Sequence, residues 1–308
     1  MTALKAARLA SEQPPLCVHW REIGPADPPA IVALHEAAAA VDGGSPFAEA
    51  QWLLRRWYID GVEASLAAFR DDALIGICAR RPGGQPDGIP ARIAGLVAPA
   101  HRGQGLGARL LDFGLAAGQP DARVLVETEL LTAAADALYR SRGLHQVFAE
   151  DVMVRSLAEG PPVVPPDPAV SFIPWTEATA PRFFAVWEAA FRERPGFPGW
   201  PAATWISRMS DDEDFRADWT LLARAGGEDV GFVAGASGGW IVQAGVIPEA
   251  RGRRLSGRLI AEVLGRMIAA GETRAVLTVN VSNPAAIAVY ERLGFTETGR
   301  RARYERAR

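Results

Sequence analysis

The chain repeats itself. Ile93-Ala94-Gly95-Leu96-Val97 reads as a buried strand and leads into Pro99-Ala100-His101-Arg102-Gly103-Gln104-Gly105-Leu106-Gly107. In the second half, Ile241-Val242-Gln243-Ala244-Gly245-Val246-Ile247 leads into Pro248-Glu249-Ala250-Arg251-Gly252-Arg253-Arg254-Leu255-Ser256. Pro99 and Pro248 stand 149 residues apart, and so do Arg102 and Arg251. A second motif follows: Ala137-Leu138-Tyr139-Arg140-Ser141-Arg142-Gly143-Leu144 is echoed by Val289-Tyr290-Glu291-Arg292-Leu293-Gly294-Phe295, with tyrosines and glycines both 151 apart. Two motifs in one order at nearly one offset mark a duplicated domain. A chain of 308 residues is long enough to bury two cores.

The halves meet at Glu159-Gly160-Pro161-Pro162-Val163-Val164-Pro165-Pro166-Asp167-Pro168. Proline fixes φ and removes a donor, so this run is neither helix nor central strand and is expected to be an extended linker. The expected domains are therefore 16–158 and 169–308, with 159–168 between them. Each opens on a strand (16–24; 169–176) and an amphipathic helix (28–40; 180–192). A hairpin follows (64–69 with 73–79; 219–225 with 229–234), turning at Arg70-Asp71-Asp72 and at Gly226-Gly227-Glu228. The first motif, a further strand (123–127; 275–280), the tyrosine helix and a closing pair of strands complete each domain. Alternating strands and helices make the class α/β or α+β around a mixed sheet.

Composition removes several function classes. Lys+Arg 33 against Asp+Glu 36 gives a net charge of −3, which argues against a protein whose main business is binding a nucleic-acid backbone and leaves room for a local basic patch that grips one phosphorylated ligand. Cys17 and Cys78 cannot form a disulfide framework, and His19, His35, His101 and His145 are too scattered for a histidine metal centre. No apolar run reaches membrane-spanning length, and Lys5 and Arg8 precede no signal-like apolar core. The expectation is a cytoplasmic protein with no metal, no nucleic-acid partner and no membrane association. Oligomeric state is not legible.

Gly103, Gly105 and Gly107 lie where a strand turns into a helix whose Leu106, Leu110 and Leu111 face a core. Glycines admit positive φ and close approach, and the first helical N–H groups have no partner within the helix. With the helix dipole they form an anion site suited to a pyrophosphate. Arg102 adds charge at the rim or serves the loop itself. On the loop alone two other readings stay open. One is a glycine-rich corner with no ligand. The other is the dinucleotide fingerprint, which Gly103-Gln104-Gly105-Leu106-Gly107-Ala108 satisfies, with Glu127 about 20 residues on. That fingerprint belongs to the first strand of its fold, whereas about 90 residues precede this one. A Walker loop fails because no Gly-Lys-Ser/Thr follows.

Arg102-x-x-Gly105-x-Gly107 after Val97-x-Pro99 resembles the acetyl-CoA signature of the GNAT N-acetyltransferase superfamily. Asn283-x-x-Ala286-x-x-x-Tyr290-x-x-Leu293-Gly294-Phe295 resembles its second motif. The resemblance covers both halves, and the tandem layout is similar to that of the mycothiol synthase type of double-domain acetyltransferase. It implies a sheet splayed between strands four and five, with pantetheine in the gap against Val97 and Val246. It places the diphosphate on Gln104–Ala108 with Arg102 and Gly103, and on Arg251, Gly252, Arg253, Arg254, Leu255, Ser256 and Gly257. Acetyl-CoA is thereby the expected donor, Asn283 a further cofactor contact, and a small-molecule primary amine the expected acceptor.

The resemblance also implies a chemistry. A neutral amine attacks the thioester, a backbone N–H stabilises the oxyanion, and a tyrosine protonates the leaving thiolate. Tyr290 and Tyr139 are the candidate acids, each with the alternative of a packed helix tyrosine. The first half has the cleaner loop but lacks the asparagine of the second motif. The second keeps Asn280, Asn283 and Tyr290 but carries Arg254 and Ser256 for glycines, Arg254 having to point outward; the balance leans to the second half for turnover. Glu127 and Glu129 could reach a cleft but are expected to be solvated, Glu249 lies too near the loop for a base, and Asp211–Asp214 reads as wet surface. The aromatics of 191–201 line an acceptor pocket or pack a satellite core, and Trp52, Leu53, Leu54 and Trp57 read as packing. Cys17 and Cys78 read as buried small apolar groups. The rival classes are a CoA-binding sensor without turnover, a protein or peptide N-acetyltransferase, and an aminoacyl-transferring relative that uses charged tRNA.

Overall fold

A computed structural model of the protein describes residues 18–43, 54–59, 61–83, 89–118, 123–194 and 197–306. Cys17, Trp52 and Leu53 lie outside them. The chain forms two compact units, one holding the residues up to Ala149 together with Gly299–Arg308, the other Glu150–Thr298.

The first unit runs β1 (His19–Arg21), α1 (Pro28–Asp42), a π-helical turn (Leu54–Ile59), β2 (Ala64–Arg70), β3 (Ala73–Arg81), β4 (Ala91–Val97), α2 (Leu106–Ala116), β5 (Val124–Thr128) and α3 (Ala133–Ser141). Neighbouring strands are antiparallel except β4 and β5, which are parallel. Strand β3 is buried on both faces, as its near-continuous apolar run requires. Ile77 packs under Ile31 and Leu34 of α1, and on the other side Gly114 of α2 sits against Cys78 and Ile93. Arg80 crosses this interior, answered by Glu63 at 3.1 Å and by the Gly114 carbonyl at 3.2 Å, so its buried cation is paired.

The second unit runs from β6 (Leu144–Ser156, from Glu150 onward) through β7 (Val170–Pro174), α4 (Ala180–Phe191), α5 (Ala202–Ser210), β8 (Phe215–Ala225), β9 (Glu228–Ala236), β10 (Trp240–Val246), α6 (Leu255–Ala269), β11 (Arg274–Asn280) and α7 (Pro284–Arg292). Here β10 and β11 are the parallel pair. Helix α6 buries Leu255, Leu259, Ile260, Val263, Leu264 and Met267, a helical stripe against β8 and β9. Trp175, Phe183, Trp187 and Trp205 fill the opposite layer under α4 and α5.

Helices cover both faces of mixed strands, the class expected from alternation. The ends depart from expectation. Each half closes on one long strand rather than a pair, β6 with 13 residues and β12 (Thr296–Arg306) with 11. Each of these strands belongs to both units. Ala302–Glu305 of β12 pair with β5, and Glu150–Ser156 of β6 pair with β11. Each unit is thus closed by a strand segment from the other half of the sequence. The proline-rich run lies inside the second unit, tied there by Arg155 to the Gly160 carbonyl (2.7 Å), by Arg258 to the Pro165 carbonyl (3.2 Å) and by Arg258 to Asp167 (3.3 Å). No helix of the described residues is long and apolar enough to cross a membrane.

Ending the chain at Thr298 should strip β5 of its β12 partner while leaving β11 paired with β6. Hydrogen exchange is expected to lose protection at Val124–Thr128 and to keep it at Arg274–Asn280; equal protection at both would show that the terminal strand is dispensable.

Candidate active site

Strands β4 and β5 stay in register for only three pairs, Ala91 with Val124, Arg92 with Leu125 and Ile93 with Val126. Beyond Ile93 they part. The gap opens into a cavity of about 340 Å³, within the size range of small-molecule sites. It is lined by Gly95–Val97 of β4, by Thr128 and Leu130, by the first turn of α2 and by Ala134, Ala135, Leu138 and Tyr139 of α3. Cys78 lies among the lining side chains, with burial pushing its thiol up to about 12.

The corner between β4 and α2 has a defined path. A 3₁₀ turn over Pro99–His101 precedes extended Arg102, then Gly103 (φ 73°) and Gly105 (φ 80°), which caps α2 in the left-handed region. A Cβ at Gly103 or Gly105 would meet no atom within 4 Å. Glycine is therefore needed here for its φ and for an open face, and not to relieve a clash. No side chain caps the helix, so the amides of Leu106, Gly107 and Ala108 stand at its positive end, where an anion is favoured.

Arg102 is occupied within the protein. Its guanidinium makes two bonds of 2.6 Å to the Asp42 carboxylate at the end of α1, and its Nε donates to the Val97 carbonyl at 3.2 Å. The side chain pins the corner. In the second unit Arg251 does the same, reaching the carbonyls of Ala190 (3.2 Å) and Val246 (3.4 Å). Arg254 takes the place of Gly105 with φ 59° and ψ 20°, so the corner keeps its course at a cost of about 1–2 kcal/mol in backbone strain. Gly252, Arg253 and Arg254 are exposed, whereas Leu255 is buried and Ser256 and Gly257 are half-buried on the first turn of α6.

The two tyrosines occupy different surroundings. Tyr139 lines the large cavity; burial pushes its hydroxyl up to about 12, while a hydrogen bond with the Thr128 side chain pulls the other way. Its ring lies 4.8 Å from that of Tyr304 in β12. Tyr290, half-buried beside Phe295, is likewise raised to about 12 by burial, opposed by nearby Arg194. The Asn283 side chain caps α7 by accepting from the Ala286 amide at 3.2 Å. Thr132 does this for α3, accepting from Ala135 at 3.1 Å. The missing asparagine of the first half is thus a threonine, 151 residues before Asn283, that escaped notice because the helix after it is alanine-rich.

A cavity of about 20 Å³ faces the α1 side of the same splayed strands, lined by His35, Trp57, Tyr58, Ala94–Leu96 and Glu127–Leu130. Glu127, expected to be solvated, is 3% exposed and faces Arg92 at 3.6 Å and Arg303 of β12 at 3.7 Å. Glu129 faces Arg301 at 3.9 Å. His35 is 7% exposed, its Nδ1 has no hydrogen-bond partner, and burial lowers its pKa. Sequence reading passed over it; its one signal was a polar residue four places after Ile31 on the apolar face of α1. Glu249 and Asp211–Asp214 are exposed, and the rings of Phe197 and Trp200, partly buried, pack on Trp187 of α4. Leu54 and Trp57 are core packing, as expected. Among the described residues no group of three or more His, Cys, Asp or Glu forms a metal-binding cluster.

Splayed parallel strands with an amide-lined corner, twice in one chain, define a tandem acetyltransferase of the GNAT class. The acetyltransferase (GNAT) family model matches residues 165–295 and a related GNAT domain model residues 62–144; the chain belongs to this family, whose members use acetyl-CoA as acyl donor. It is similar to a mycothiol acetyltransferase of Mycolicibacterium vanbaalenii, 32% identical over 90% of this chain and 94% of the relative. A mycothiol acetyltransferase of Thermobispora bispora is 29% identical over 88% and 93%. Among solved structures, a GCN5-related N-acetyltransferase from Sphaerobacter thermophilus matches with TM-score 0.71 at 24% identity, covering 94% of this chain and 95% of that one. A tandem GNAT protein of the clavulanic acid pathway matches with TM-score 0.60 at 17% identity, over 94% and 98%. The protein is an N-acetyltransferase enzyme.

Asp42→Ala should leave the Arg102 cation without its partner and lower stability by about 1–3 kcal/mol in urea unfolding; an unchanged midpoint would show that solvent replaces the pair.

Proposed function

We propose that the protein transfers an acetyl group from acetyl-CoA to a primary amine of a small molecule, and that the first unit carries out the transfer. The 340 Å³ cavity carries this reading, because residues of the amide corner, of the gap between β4 and β5 and Tyr139 all line one space. The residues fit the donor: uncapped amides from Leu106 to Ala108 suit the diphosphate, with Gly103, Gln104 and Gly105 at the rim. Gly95–Val97 line the path for pantetheine. Arg102 supports this through the corner's shape, since its charge is engaged by Asp42.

The amine nitrogen bonds to the thioester carbon and the C–S bond breaks. A β4 amide stabilises the oxyanion, worth about 2.7–4 kcal/mol where such donors have been removed. Burial keeps Tyr139 protonated at neutral pH, in the form that can give a proton to the leaving thiolate. The sequence motifs lean to the second half, with Asn283 and Tyr290, but Asn283 is engaged as a helix cap there. The second corner, Arg251–Gly257 below Val246, is read as a second CoA-binding site. The names of the relatives support a small-molecule acceptor.

Release of CoA thiol should be followed with a panel of small primary amines that includes the unacetylated amine form of mycothiol. Gly105→Asp is expected to abolish binding at the first corner and turnover with it, because it sets an anion against the diphosphate; full activity in this variant would move the reaction to the second unit. Tyr139→Phe is expected to lower kcat by roughly 10²–10⁴ with acetyl-CoA affinity kept, whereas Tyr290→Phe leaves the rate near wild type. The reverse ranking would assign Tyr139 to packing.

A further inference from the structure

The small cavity on the α1 side shares Gly95, Leu96, Thr128 and Leu130 with the large one, so the two lie across the splayed strands from each other. Its volume of about 20 Å³ suits a single water, which needs about 10–15 Å³ and two to four polar partners. Glu127, Glu129 and the His35 ring supply such partners. We propose that this cavity is the proton outlet of the first site, in which a bound water passes the proton of the acceptor amine to His35. The inference rests on the reading of the first unit as the seat of acetyl transfer.

An ammonium acceptor must lose two protons to become an amide. In this scheme the first leaves through the water to His35 and thence to solvent, freeing the lone pair that attacks the thioester carbon. The second leaves the tetrahedral adduct and ends on the CoA sulfur by way of Tyr139. One N–C bond forms, one C–S bond breaks, and one proton is released net.

His35 suits the task on geometry. It is held on α1 by burial, and its Nδ1 lacks a protein partner. The charged and titratable groups facing it are Glu127 and Glu129 at the end of β5 and Tyr58 of the π-helical turn. Arg92, Arg303 and Arg301 stand behind the two carboxylates and engage them. Burial lowers the His35 pKa below its usual value of about 6.5, so the ring is neutral and able to accept a proton at physiological pH. It loses that capacity as the pH falls through the lowered pKa.

The test is the pH dependence of acetyl transfer in wild type and in His35→Gln, with acetyl-CoA affinity and thermal melting measured alongside. Wild type should show a rate that falls on the acid side as the pH drops through the lowered His35 pKa, at a pH more acidic than the usual histidine value of about 6.5. His35→Gln should be slower by roughly 10²–10⁴ with unchanged acetyl-CoA affinity and should lack that limb. In His35→Ala, added imidazole should restore part of the rate. A slower variant that keeps the wild-type pH profile and ignores imidazole would overturn the inference and make His35 a packing residue, as would an unaffected rate. Should His35→Gln melt early, His35→Asn and the imidazole arm decide. Activity that survives Gly105→Asp would instead overturn the reading of the first unit, which separates the two failures.

Discussion

Parallel strands that part after three residue pairs create the site. Where β4 and β5 remain bonded, backbone polar groups satisfy each other and leave no room for a ligand. Beyond Ile93 the strands diverge and a cavity opens between a strand edge and a helix start. Such a gap needs support, since a strand that has lost its neighbour is free to drift. Here β3 pairs with β4 through Val97, and the Arg102–Asp42 pair ties the corner after it to the end of α1. Positive φ at Gly103 and Gly105 then aims the helix start at the gap.

Duplication supplies this device twice, and the two copies have drifted in side chains more than in backbone. Arg254 adopts the left-handed cap that Gly105 adopts with ease, and Arg251 pins its corner to a helix-end carbonyl where Arg102 uses a carboxylate. The arginine of the motif thus acts first on the corner's shape. Capping shows the same economy. Thr132 and Asn283 perform one task with different side-chain oxygens, so the first half keeps a capped helix at that position without an asparagine.

The closing strands link the first site to the far end of the sequence. Arg303 and Arg301 of β12 face Glu127 and Glu129, and Tyr304 lies against Tyr139 and donates to Asp136. A residue 165 positions away in sequence thereby shapes the surroundings of the candidate acid. Burial of Glu127 follows from this arrangement, because a carboxylate enters the interior only where cations and hydrogen bonds offset its desolvation.

Local chemistry in the sequence was enough to determine the duplication, the alternation of strands and helices, and the two glycine corners. Proline positions, helical spacing and the demand for positive φ act within a few residues and leave their mark in order. The proline-rich run was legible as irregular backbone but not as part of a domain, since what holds it is Arg155 and Arg258 reaching from other elements. Tertiary structure alone decided which carboxylates are buried, that His35 faces a cavity, and that each unit is closed by a strand segment from the other half. Those outcomes depend on side chains brought together from distant parts of the chain, and no periodicity or spacing encodes a meeting of that kind.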